Sequence, residues 1–468
     1  MATRLLGVGA AAPAFRLPAS EVAAAWGRGG GRGQAGVCAP DEDPLTLGWD
    51  AATRALDAAG VDPADIDGLW WGTTRPPFAE GPSHAVLATA LGLSPHAGGA
   101  LHAGSPHAGM EALVGAADAV SAGAARLALV VVSDALRPGL GTTAEARTGA
   151  GAAALVLGAE GGTAAFGARV TRSRPFLDRY RGDGETETRD LYDGRLFREE
   201  VFLPVVTEVA GALASFDVRS WSLPDPDGRL GAVVAKVVGA SGNTASSVYN
   251  AIGDTGAAGA LLGALSALDA PGLVAIVGTG GGRTTGITID VETPIPGAAI
   301  VGDALGNGVT VSYMDVLRAR GQLVPTGETI PMGVPPESAM FVRGAHEILQ
   351  LLGGRCVDCG TISTPPSIHP TCIACGGPKL EPVSLARNGT VHTYVVNHTM
   401  PAPFVAPLPI AVIDLDDGAR VMLQVIGDGA DVEIGRRVTL VLRRYSYERG
   451  VPVYGYKART VRTPEEVA

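Results

Sequence analysis

One unit of sequence occurs twice in the first 300 residues. Each copy has a Gly-rich turn, an Ala-rich helix and a buried strand: 104-GSPHAGMEAL…ARLALVVVSD-134 and 253-GDTGAAGALLGAL…PGLVAIVGTG-280. The copies lie about 150 residues apart, too far for a solenoid, whose repeats run about 20–50 residues. That spacing predicts two fused α/β halves, 1–165 and 166–300. Short Val/Ile/Leu runs alternate with Ala-rich helices across both, which marks strands buried on both faces. Strands are expected at 67-DGLWWGTT-74, 127-LALVVVSD-134, 152-AAALVLGA-159 and 273-LVAIVGTG-280, and helices at 46–60, 107–123 and 255–270. Several of these helices open on a small or polar residue and close at Gly, as capping requires.

The pattern changes after residue 300. Residues 301–345 read as a linker that packs on the first domain, with one helix around 312-SYMDVLRARG-321. Then comes 356-CVDCGTISTPPSIHPTCIACGG-377, two CxxC pairs separated by twelve residues. Such pairs place four thiolates tetrahedrally around Zn²⁺, with Gly360 and Gly376 at the tight turns. Cys356, Cys359, Cys372 and Cys375 are therefore the expected metal ligands of a ribbon over 346–385. A four-thiolate site leaves no open position for water, so its role is structural. From 386 to 468 short alternating strands (390–398, 409–415, 420–427, 437–445) are split by turn signals, the pattern of a small barrel.

The chain of 468 residues carries a net charge of −11, 46% hydrophobic and 18% charged residues. That is a folded composition. Its acidic balance argues against nucleic acid or an anionic membrane as the main partner. No run of 18 or more apolar residues is free of Gly breaks and charges, so no membrane span is expected. The opening 1-MATRLLGVGAAAPAFRLP-18 reads as a first buried strand, because its apolar run breaks at Pro13. The one low-complexity tract, 27-GRGGGRGQAG-36, reads as a loop. Five cysteines, four of them clustered, fit a reducing cytoplasm with a metal site better than disulfides.

Residues 345–460 resemble a rubredoxin-like zinc ribbon plus OB-fold module found beside thiolase-superfamily enzymes, as partner or acyl-CoA-binding subunit. The resemblance runs through 355-RCVDCGTISTPP-366 and 388-NGTVHTYVVNHT-399. Residues 1–300 resemble the thiolase superfamily itself, nearest the 3-hydroxy-3-methylglutaryl-CoA synthase and ketoacyl synthase III branch. The carriers are 6-LGVGAAAPAFRLP-18, 41-DEDPLTLGWDAATRALDAAGVDPADIDGLWWGTT-74, 148-TGAGAAALVLG-158, 226-PDGRLGAVVAKVVG-239, 253-GDTGAAGALLGAL-265 and 277-VGTGGG-282. This likeness implies a five-layered αβαβα domain, a homodimer, and an acyl thioester substrate on CoA or a carrier protein.

It also implies a nucleophilic cysteine with His and Asn or Glu partners. Here the nucleophile position falls on Pro106, or on Ser105 if the turn shifts by one. The histidine position falls near Pro224, and no His occurs between His107 and His346. The glutamate position falls on Thr73 or Thr74. The asparagine position falls on Asp254, with Asn243 in 242-GNTASS-247 as a competing match. Standard chemistry through an acyl-cysteine is therefore not expected. The first reading is an enzyme acting on an acyl thioester. In its aldol form, His107, Asp254 and Tyr249 serve as acid–base groups. In its acyl-transfer form, Ser105 is the nucleophile and His107 its base, or transfer is direct. The backbone of Gly280, Gly281 and Gly282 would supply an oxyanion hole, with Asn243 contacting the carrier. The alternative is a non-catalytic subunit that binds acyl-CoA or supports a paralogue.

Overall fold

The twice-used sequence unit folds twice in the same way. The computed structural model describes residues 2–29, 31–189, 193–323, 339–400, 404, 406–448 and 450–461; residues 324–338 of the expected linker lie outside them. Two compact units are present, Met1–Val324 and Pro325–Ala468. The first unit holds strands β1 (Arg4–Ala11), β2 (Phe15–Pro18), β3 (Gln34–Val37), β4 (Gly68–Thr73), β5 (Gly98–Ala103), β6 (Leu127–Ala135), β7 (Ala150–Gly158), β8 (Ala164–Ser173), β9 (Val218–Ser222), β10 (Gly272–Gly280), β11 (Arg283–Val291) and β12 (Val309–Thr310). Nine form one sheet in the order β5-β4-β6-β7-β1-β8-β11-β10-β9.

In the first half β4 runs parallel to β6, and β6 and β1 are antiparallel to β7. In the second half β9 runs parallel to β10, and β10 and β8 are antiparallel to β11. So β1, β4, β6 and β7 correspond to β8, β9, β10 and β11. The halves join where Arg4 pairs with Ala165 and Leu5 with Ala164. Helix Pro44–Ala59 covers β1, β6 and β7, and helix Leu203–Leu213 covers β8, β10 and β11. Helices Ala108–Ser121 and Gly259–Leu265 each pack on strands of both halves and form the middle of five layers. The middle layer needs small residues. A Cβ on Gly109 would lie 2.3 Å from the Ala257 carbonyl oxygen, so the two inner segments meet backbone to backbone. Ala108, Ala112, Ala116, Ala257 and Ala258 are all buried there.

Helix Pro44–Ala59 shows how local sequence sets an element. Asp43 accepts from the Thr46 N–H, and the Thr46 hydroxyl accepts from the Asp43 N–H, a capping box. Gly60 ends the helix in the left-handed region at φ 63°.

Three expectations change. The helix at 255–270 is shorter: one 3₁₀ turn, Gly256–Ala258, leads into Gly259–Leu265, because the chain then turns twice through Ala267 N–H to Ala264 O and Leu268 N–H to Leu265 O. The end of the 27–36 tract is strand β3, paired with β2. The stretch from 301 packs on the first unit as expected but holds one helix more than expected: Val301–Gly306 precedes Tyr313–Ala319. Tyr313, Val316 and Leu317 share a core with Leu17, Val22, Ala35 and Val37.

In the second unit, β13 (Leu352–Cys356), β14 (Ile362–Ser363) and β15 (Leu380–Ser384) form the ribbon sheet. Strands β16 (Asn388–Asn397), β17 (Leu408–Leu415), β18 (Arg420–Gln424), β19 (Arg437–Glu448) and β20 (Val451–Thr460) form the OB-fold barrel. It closes where Val425 bridges Ala458. Along β17, Pro409, Ala411, Ile413 and Leu415 are buried and the residues between them half-buried, the period of two read from sequence. Strand β20 carries no such clean signal, since Pro452 and Gly455 interrupt it. No helix among the described residues is long and apolar enough to cross a membrane.

Candidate functional site

The turn after β5 is tied inward. Ser105 Oγ accepts from the His107 N–H at 3.2 Å. The His107 ring is 2% exposed, with Nε2 2.9 Å from Thr285 Oγ1 and Nδ1 3.4 Å from Glu111 Oε1, one helical turn on. Glu111 also takes a bond from Arg283 at 2.6 Å. Burial pushes the His107 pKa down and Glu111 opposes it, so the ring is held neutral in the core. His107 is neither a solvated cap nor part of the cavity wall; its neighbour Pro106 is on that wall.

The three glycines expected to form an oxyanion hole serve the turn instead. A Cβ on Gly280 would lie 2.8 Å from Pro106 Cδ, and one on Gly281 2.8 Å from Ser105 Cβ. The Gly281 N–H donates to Asp178 Oδ2 at 3.1 Å, and the Gly282 carbonyl accepts from the Arg174 N–H. None of the three lines the cavity. Asn243 is likewise turned to the protein. Its side-chain oxygen accepts from the Leu223 and Ala245 N–H groups, and its NH₂ donates to the Leu223 carbonyl and Ser246 Oγ. It caps helix Thr244–Ile252.

The cavity has a volume of about 360 Å³, within the range of small-molecule sites. No cysteine or histidine lines it among the described residues. Asp254 and Tyr249 do, together with Arg147 and Arg179. Asp254 is held by a short bridge to the first half: its N–H donates to the Arg147 carbonyl, and its carbonyl accepts from the Gly149 N–H. Oδ1 accepts from the Gly256 N–H at 2.9 Å, and Oδ2 lies 2.8 Å from Arg179 Nη2, with both side chains largely buried. Tyr249, near the end of helix Thr244–Ile252, has no hydroxyl hydrogen bond among the described residues. Burial pushes its pKa up to about 12, with Arg147 opposing and Asp254 adding to the rise. The wall thus offers a neutral phenol donor and a carboxylate fixed by a guanidinium.

Arg179 carries no motif, and nothing in its surroundings in sequence marks it. Asp134 had a signal, an acid ending the buried run 127-LALVVVSD-134. It is fully buried and takes bonds from Thr74 Oγ1 at 2.6 Å and the Ala257 N–H at 2.9 Å. Burial raises its pKa to about 6, and the Thr74 and Ala257 bonds hold it down. It joins β4 of the first half to the turn that bears Asp254.

The four ribbon cysteines converge. Their Sγ atoms all lie within 4.8 Å of one another, with Cys356–Cys375 at 3.6 Å and Cys359–Cys372 at 3.5 Å. Thiolates about 2.3 Å from a tetrahedral ion stand about 3.8 Å apart, so the cluster is compatible with Zn²⁺. Gly360 and Gly376 sit at φ 76° and 73°, completing the two knuckles.

Residues 382–443 match the family described as the C-terminal OB-fold domain of ChsH2. The chain superposes on MvaS in complex with 3-hydroxy-3-methylglutaryl coenzyme A with a TM-score of 0.58 and 20% identity, covering 72% of this chain and 96% of that one. A hydroxymethylglutaryl-CoA synthase of Pyrococcus horikoshii is 35% identical over 155 residues, 33% of this chain and 44% of that protein, so the match spans under half of that relative. One from Aeropyrum pernix is 30% identical over 340 residues, 68% of this chain and 94% of the relative. On the strength of that near full-length match, the chain belongs to the hydroxymethylglutaryl-CoA synthase family.

Proposed function

We propose that the first unit acts on an acyl thioester, carried by CoA or an acyl carrier protein, and makes or breaks a carbon–carbon bond beside the thioester carbonyl without an acyl-cysteine. Asp254 serves as the base and Tyr249 as the hydrogen-bond donor. In the bond-forming direction, Asp254 takes a proton from the carbon next to the thioester carbonyl. The Tyr249 hydroxyl donates to the carbonyl oxygen as it gains enolate charge, and the enolate carbon adds to an aldehyde or ketone carbonyl whose C=O π bond opens to an alkoxide that takes the proton from Asp254. Arg179 positions the carboxylate. The observation that carries this reading is one cavity wall that holds the Asp254–Arg179 pair and a phenol with no hydroxyl hydrogen bond among the described residues. Acyl transfer through Ser105 is less favoured, since His107 turns its ring to Thr285 rather than to Ser105 Oγ.

A non-catalytic binding subunit is the second reading. It is favoured by the Gly281 N–H being taken up by Asp178. Incubation with acetyl-CoA and longer acyl-CoAs in D₂O, read by mass spectrometry, separates the two. Exchange at the α-carbon that Asp254→Asn slows at least about a hundredfold supports the enzyme. No exchange with any thioester, together with co-purification of a cysteine-bearing paralogue, supports the subunit. Cys356, Cys359, Cys372 and Cys375 would hold a structural Zn²⁺ in either case. One zinc per chain by elemental analysis is the expected result.

A further inference from the structure

The cavity is built of two unlike surfaces. One carries Asp254, Arg179 and Tyr249. Another carries Phe197, Phe202 and Leu230, with Arg198 of the same turn beside them. Residues Phe197–Phe202 form a π-helical turn, wider than an α-turn, a rare geometry found mostly at functional sites. Phe197 and Phe202, at the two ends of that turn, both line the cavity. Their ring centroids are 5.8 Å apart and tilted by 45°. Phe202 is 2% exposed and shares a core cluster with Leu230, a third lining residue; Phe197 packs on that cluster but stays half-buried. Phe202 is thus the anchor, and Phe197 the ring left free to meet a ligand.

We infer that the thioester this cavity selects bears a bulky apolar acyl group, branched or aromatic, which packs on Phe197. The inference rests on the reading of the cavity as an acyl-thioester site and names the acyl class. An acetyl group fills a small part of about 360 Å³ and leaves the aromatic wall against water, forfeiting dispersion contacts and apolar burial.

Calorimetric titration of the full chain with acetyl-CoA, hexanoyl-CoA and phenylacetyl-CoA tests this without requiring turnover. The wild type is expected to bind phenylacetyl-CoA about tenfold or more tightly than acetyl-CoA, the scale of a few methylenes in an apolar pocket. Phe197→Ala should bring that ratio to within about threefold, with acetyl-CoA affinity shifted least. Phe197→Leu, which keeps an apolar side chain for packing, should fall between and shows that any loss is not unfolding. Equal affinity for the three thioesters in the wild type, or an equal weakening of all three in Phe197→Ala, overturns the inference. If the ratio is found but no α-exchange occurs with any thioester, the acyl class stands and the enzymatic reading fails. If exchange is as fast with acetyl-CoA as with the bulky thioester and the affinities match, the reverse holds.

Discussion

Two turns occupy matching places in the two halves of the first unit, and they differ in what they do with their polar groups. The 104–107 turn points them into protein: Ser105 Oγ to its own turn, His107 to Thr285 and Glu111. The apolar ring of Pro106 faces the cavity. The 253–256 turn points its one carboxylate outward, to the cavity and Arg179. A repeat therefore fixes where two turns sit but not which one is reactive. That depends on which side chains each turn directs toward the cavity.

Breaking this contrast is the aim of four measurements. Asp254→Asn keeps an acceptor for the Gly256 N–H but removes the base. Turnover of an accepted thioester is expected to drop by about 10²–10⁴-fold with little change in melting temperature. A loss under tenfold would remove Asp254 from the chemistry.

Asp134 accepts from the Ala257 N–H just after the 253–256 turn. Its folded pKa of about 6 stands above the ordinary 3.8, so the folded chain binds the proton more tightly than the unfolded chain. The stability this group contributes is fully present below about pH 3.8 and is lost as pH rises through about 6. Wild type should thus gain on Asp134→Asn by about 2 kcal/mol between pH 7 and pH 4 in urea unfolding. A pH-independent difference would show that Asp134 does not titrate in this window.

His107→Ala should cost about 2–3 kcal/mol of stability, through the lost Thr285 bond and the cavity left in a buried site. Turnover per folded molecule should stay within about threefold of wild type. A hundredfold loss of kcat with unchanged stability would return the chemistry to the first turn. Ser105→Ala should cost under about 1 kcal/mol. Mass spectrometry of the wild type with acyl-CoA should show no acyl adduct on Ser105, and finding one would revive the serine nucleophile.

Much of the fold was legible because its signals are local. The period of two along β17, the capping box at Asp43 and Thr46, and the CxxC pairs each depend on residues within a few positions of one another. Strand β20 and the short helix after Gly256 were harder. Pro452 and Gly455 blur the period in one, and tertiary contact at Ala257 shapes the other. The candidate site was half legible. Asp254 and Tyr249 stand near a recognisable turn, but Arg179 gives no pattern to read. His107, Asn243 and Gly280–Gly282 have the residue types a site needs. Their hydrogen bonds and packing, however, run to partners such as Thr285, Leu223, Asp178 and Pro106.

By itself, the sequence determined the two-half architecture, the four-thiolate cluster and the barrel. Those features follow from periodicity, spacing and residue identity, which are properties of the chain. Only the tertiary structure decided which polar groups face the cavity. Whether a histidine is a base or a buried ring held to a threonine depends on partners 178 residues away, and no local pattern encodes the far side of that bond.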